Sequence, residues 1–125
     1  MMISVETPRP DGIGIDIAEI DRFRRASRHF LELAFTPNEN RRCRASHDPA
    51  RAYAVAWAAK EAAVKAVEGE WHLVQIETRR RRAFPVPRRN STAPPCHWRV
   101  HWSLGGSDHN QVWVVAKAWR IKEAA

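Results

Sequence analysis

Residues 50–67 read Ala-Arg-Ala-Tyr-Ala-Val-Ala-Trp-Ala-Ala-Lys-Glu-Ala-Ala-Val-Lys-Ala-Val, and half of them are alanine. Alanine is the strongest helix former, and neither glycine nor proline interrupts the run. The stretch therefore predicts one long helix, opened by Asp48-Pro49 and closed near Gly69. Lys60, Glu61 and Lys65 stand together among small apolar residues. Glu61 and Lys65 are i,i+4 neighbours, and Trp57 lies one turn before Glu61 on the same side. On spacing alone the pair reads as a surface salt bridge, worth a few tenths of a kcal/mol.

Upstream, Gly-Ile-Gly-Ile-Asp (12–16) predicts a short buried strand whose glycines admit close backbone approach. Asp16 then sits in apolar company, where an ionised carboxylate is costly without a positive partner. It reads equally as an N-cap for the next helix and as a metal ligand. Residues 18–33 place Ile20, Phe23, Phe30 and Leu31 at helical spacing and predict one amphipathic helix. Arg22, Arg25 and Arg28 recur every third residue on its exposed side. Thr36-Pro37-Asn38-Glu39 carries the signature of a capping box with proline at the first helical position, followed by Arg41, Arg42 and Arg44.

The back half reads as sheet. Residues 72–78 alternate weakly; Trp98, Val100 and Trp102 alternate with Arg99, His101 and Ser103. Residues 111–121 set Val112, Val114, Ala116 and Ala118 opposite Trp113, Val115, Lys117 and Trp119. Residues 104–110 predict a hairpin loop. Residues 79–97, with Arg79–Arg82 and several prolines, read as a long basic connection. Helices in front and strands behind predict an α+β fold: one domain over 1–125, its long Ala-rich helix packed on a small, mostly antiparallel sheet.

At 125 residues the chain is long enough for one hydrophobic core. Lys plus Arg number 21 against 14 acidic residues, a net charge of +7, and most of the cations are arginine. That balance implies an acidic partner and favours forked contacts to phosphate or carboxylate. Cys43 and Cys96 have no paired spacing, which argues against a disulfide framework or zinc site. No apolar run approaches membrane-spanning length, and the N-terminus lacks a signal-peptide core, so a cytoplasmic protein without membrane association is expected. Nucleic-acid binding rests on charge alone and ranks last.

Two pieces carry a resemblance. Gly-Ile-Asp-Ile-Ala-Glu-Ile-Asp-Arg-Phe (14–23) and Trp-Ala-Ala-Lys-Glu-Ala-Ala-Val-Lys-Ala (57–66) resemble the paired signatures of the 4'-phosphopantetheinyl transferases, in the order and spacing of the short holo-acyl-carrier-protein synthase type. The resemblance implies magnesium-dependent transfer of 4'-phosphopantetheine from coenzyme A to a serine of an acidic acyl or peptidyl carrier protein of fatty-acid or polyketide-like assembly. It implies Asp16 and Glu61 as metal ligands, Glu61 and Lys65 as catalytic residues, and Lys60, Lys65 and Ser103 as contacts to coenzyme A. Arg22, with Arg25 and Arg28 extending the surface, is implied to dock the carrier, and the family's short members are trimers with sites between subunits. Family members carry Gly-Arg where this chain has Val55-Ala56, and a histidine where it has Leu104. These departures support an alternative, a family-shaped module that binds carrier proteins or acts on carrier-tethered substrates.

Overall fold

Helix α4 (Pro49–Ala66) is the axis on which the other elements pack. The computed structural model describes residues 12–67, 71–86, 96–107 and 110–122. Asp48 caps α4 by accepting from Arg51 N, and Pro49 takes the first turn, where its missing N–H costs nothing. The helix ends at Val67, and Gly69, the expected stop, lies outside the described residues. Before α4 come strand β1 (Ile13–Glu19) and helices α1 (Ile20–Arg24), α2 (Arg28–Ala34) and α3 (Pro37–Arg44). After it follow a single-turn 3-10 helix at Leu73–Gln75 and strands β2 (Ile76–Arg79), β3 (Arg82–Pro85), β4 (Cys96–Ser107) and β5 (Asn110–Lys122). The five strands form one antiparallel sheet in the order β1-β5-β4-β3-β2. This is the expected α+β architecture.

Small residues bring helix and sheet together. Ala58, Ala62, Ala63 and Ala66 on α4 are buried, as are Val114, Ala116 and Ala118 on β5. At Gly14 the contact is backbone to backbone: a Cβ there would lie 2.6 Å from Ala66 N and closer still to Ala62 O. Only glycine fits. The core then thickens around Phe23, Phe35, Tyr53 and Trp57, with ring centroids 4.9–6.2 Å apart.

Several local expectations are corrected. Strand β1 is not buried on both faces: Gly14 and Ala18 face α4, while Ile13, Ile15 and Ile17 are 61%, 56% and 63% exposed. The strand alternates, and isoleucine occupies the outward positions. Residues 18–33 do not form one helix. The chain stays in β1 through Glu19, and Ser27 starts α2 by accepting from Phe30 N. A serine cap, favourable at a helix start, outweighs the apolar periodicity that runs across it. The 79–97 connection contains β3, which pairs with β2 and β4, and β4 already begins at Cys96; residues 87–95 lie outside the described residues. Residues 72–75 hold the 3-10 turn rather than strand, and β4 extends through Leu104 to Ser107, shortening the expected hairpin loop.

Candidate active site

Strand β1 sets Asp16 between Gly14 and Ala18 on the face turned to α4, where its side chain is 14% exposed. It caps no helix, since Glu19 is the residue before α1. Lys65, in the last turn of α4, donates from Nζ to Asp16 Oδ1 at 2.7 Å and to the Ile15 carbonyl at 3.4 Å. The Asp16 hydrogen bond pushes the Lys65 ammonium above its ordinary range, against the opposing effect of desolvation. Lys65 thus pairs across to the strand, and the expected Glu61–Lys65 salt bridge along the helix is not formed among the described residues. Glu61 lies one turn back. Burial holds its carboxyl above the ordinary range, the Asp16 charge adds to that, and Lys65 and Arg22 offset it in part. Two carboxylates that repel one another beside one ammonium make a site suited to a cation and a phosphate.

The structure brings Asp16, Glu61 and Lys65 together and leaves Lys60 out. Lys60 is fully buried, and its Nζ donates to Glu39 Oε1 at 2.6 Å and to the Ala34 carbonyl at 3.0 Å. Burial lowers its pKa, and the Glu39 charge acts in the opposite direction. One residue along a helix turns a side chain by 100°, so Lys60 and Glu61 serve different surroundings. Glu39 is the buried partner that sequence reasoning missed. Beyond its capping-box bond from Thr36 N, it accepts from Lys60 and, on Oε2, from Thr78 N and Thr78 Oγ1 at 2.8 and 2.7 Å. The only signal at residue 39 was the cap, which is satisfied by local geometry and says nothing of Lys60.

Ser103 is also apart from the Asp16 cluster. It is exposed on the outer sheet face, opposite Val115, on β4, with β5 between it and β1. Of the three arginines expected on one helix face, Arg22 lies on α1 with its guanidinium 4.9 Å from the Trp57 ring centre. Arg25 is the exposed C-cap of α1, and Arg28 opens α2 and pairs with Glu32 at 2.9 Å. The break at 25–27 turns a stripe into a bent surface.

A donor set of two carboxylates fits a magnesium ion, which takes one or two protein carboxylates and keeps water or phosphate in its remaining positions. Among the described residues no cluster of three or more metal-ligating side chains exists. No described helix is long and apolar enough to cross a membrane.

Residues 12–116 match the sequence profile of the 4'-phosphopantetheinyl transferase superfamily. The chain is 35% identical over 127 residues to a holo-[acyl-carrier-protein] synthase of Cereibacter sphaeroides, an alignment covering 86% of this chain and 92% of that protein. It is 45% identical over 60 residues to the holo-[acyl-carrier-protein] synthase of Nocardia farcinica, covering 44% of this chain and 41% of that one, so this match spans less than half of the relative's length. Among solved structures it is similar to a holo-(acyl-carrier-protein) synthase from Bacillus anthracis in complex with CoA (3',5'-ADP), at 26% identity and a TM-score of 0.60, over 90% of this chain and 97% of that one.

Proposed function

This chain belongs to the 4'-phosphopantetheinyl transferase superfamily, and from that premise we propose that it transfers 4'-phosphopantetheine from coenzyme A to a serine hydroxyl of an acidic acyl carrier protein in the cytoplasm. The observation that carries the reading is the meeting of Asp16 from β1 with Lys65 and Glu61 from α4. The serine oxygen forms a bond to the pantetheine-side phosphorus, the pyrophosphate P–O bond breaks, and adenosine 3',5'-bisphosphate leaves. Glu61 takes the serine proton. Lys65, anchored by Asp16, presents positive charge to the transferring phosphate. Asp16 and Glu61 would hold magnesium, which when bound offsets charge on the pyrophosphate oxygens. Lys60 supports the site from within through Glu39 rather than by touching coenzyme A. Arg22 and Arg25, with Arg28, form the basic surface for the carrier.

Two observations support an assembly of several copies, which we read as a homotrimer. Ile13, Ile15, Ile17, Trp113 and Val115 are exposed together on the outer sheet face, where β1 and β5 pair in register. Ser103 lies on that same face, where it would join a coenzyme A site through a neighbouring copy. The direct test is incubation with apo carrier protein, coenzyme A and magnesium, followed by the intact mass of the carrier. A mass gain equal to one phosphopantetheine supports transfer. Tight carrier binding without mass gain across several apo carriers would instead support the carrier-binding module.

A further inference from the structure

Most of the buried face of α4 is alanine: Ala54, Ala58, Ala59, Ala62, Ala63 and Ala66. Methyl groups raise only low ridges, so apolar packing separates neighbouring rotations of such a helix weakly. At the seam with β1 the helix backbone meets Gly14, which offers no Cβ to interlock with it. Yet Glu61 and Lys65 ride on α4 while Asp16 sits on β1. The rotation of the helix therefore sets how the three meet.

A contact elsewhere on α4 is directional. Lys60 and Glu39 are both 0% exposed. Glu39 Oε1 accepts from Lys60 Nζ at 2.6 Å and from Thr36 N at 2.9 Å. Its Oε2 accepts from Thr78 N and Thr78 Oγ1 at 2.8 and 2.7 Å. A carboxylate has about four acceptor sites, so this one is fully used. Lys60 Nζ also donates to the Ala34 carbonyl at 3.0 Å and stands 5.4 Å from the centre of the Phe35 ring. The end of α2, the start of α3, the middle of α4 and strand β2 thus meet at one ion pair. Among the described residues the other side-chain hydrogen bond between α4 and α3 is Tyr53 Oη to Asn40 Oδ1 at 2.7 Å, two turns earlier along α4.

A buried ion pair adds little net stability over an apolar pair of similar volume, and its best-attested use is to fix register. We propose that Lys60 and Glu39 are positioning residues for the transfer reaction: their bonds lock the rotation of α4 and so hold Glu61, the next residue, in its place beside Asp16. Side-chain ends lie about 5–6 Å from a helix axis, so a turn of about 20° displaces them by about 2 Å. A misplacement of about 1 Å can cost about a hundredfold in rate. The proposal rests on the transferase reading for its kinetics, but not for the lock itself.

The test pairs two readouts on the full chain carrying Lys60→Met with Glu39→Gln, which removes both charges and keeps the bulk. At a temperature where circular dichroism shows the variant folded, steady-state transfer from coenzyme A to apo carrier with magnesium should show kcat reduced at least about tenfold. The KM for coenzyme A should stay within about twofold. Alanine-methyl NMR without substrates should show exchange broadening at Ala62 and Ala66 that the parent lacks. Unchanged kcat, a kcat loss no larger than the unfolded fraction, or methyl signals as sharp as the parent's would overturn the proposal. If the double variant does not fold, Glu39→Asp keeps the charge and withdraws the carboxylate by one methylene, and the same two readouts decide on it. A parent that modifies no carrier would overturn the transferase reading alone, since the methyl signals still report the lock.

Discussion

Lys65 Nζ lies 2.7 Å from Asp16 Oδ1, joining the last turn of α4 to the middle of β1 across the seam where Gly14 meets Ala62 and Ala66. The ammonium is half exposed and the carboxylate mostly covered. With its ammonium open to solvent the pair is screened and adds about 0–1 kcal/mol to stability. Asp16→Asn should therefore lower the thermal midpoint by only a few degrees, while carrier modification falls at least about a hundredfold. Melting curves beside carrier mass measurements separate the two effects, and a large loss of stability with activity preserved would refute the assigned role.

Glu61 should titrate above the ordinary glutamate value of 4.5. A carbon-13 titration of its carboxyl without divalent ions reads this directly. In Asp16→Asn the midpoint should move down yet stay raised, because burial is the larger cause. Linkage gives a second sign: ionised Glu61 is disfavoured by the fold, so its destabilising effect is absent at low pH and grows as pH rises through the raised pKa. Glu61→Gln should consequently be slightly more stable than the parent at neutral pH, indistinguishable at acid pH, and inactive.

The buried Lys60–Glu39 pair is a different case. Lys60→Met leaves a fully buried carboxylate without its cation and should cost about 3–5 kcal/mol in denaturant unfolding. Adding Glu39→Gln removes the stranded charge and keeps one acceptor oxygen for Thr78 N and Oγ1, at the loss of the Thr36 N bond. The double variant should be more stable than Lys60→Met alone.

Gly14→Ala tests the helix–strand seam. A methyl group there meets the backbone of α4, so the helix must move off β1, at about 1–3 kcal/mol. Because Asp16 is two residues along the strand, transfer should fall together with stability.

Cys43 is 1% exposed, and burial raises its thiol to about 11. It should stay unlabelled by a thiol-directed alkylating reagent at pH 8, read by peptide mass mapping, until the protein is unfolded.

The outer-face reading is checked by Ile15→Arg. Light scattering should show a multiple of the chain mass for the parent and one chain mass for the variant. Equal masses would refute an interface there.

The α+β class, the long helix and the cap at Thr36 were all written in local pattern, because alanine content, capping residues and alternation act over a few residues. The break at 25–27 shows the limit of that pattern: a serine cap interrupts apolar spacing that looks continuous. What only the tertiary structure decided is which charge meets which. Lys60 and Lys65 are alike in sequence terms, yet one is sealed against Glu39 and the other reaches Asp16. Glu61–Lys65 is neighbouring by helix geometry, but β1 offers a carboxylate from 49 residues away in the chain. The bonds from Arg42 on α3 to Thr78 on β2 likewise need those two elements to be folded together. Pairings between distant segments depend on how the sheet and α4 pack, and no local periodicity encodes them.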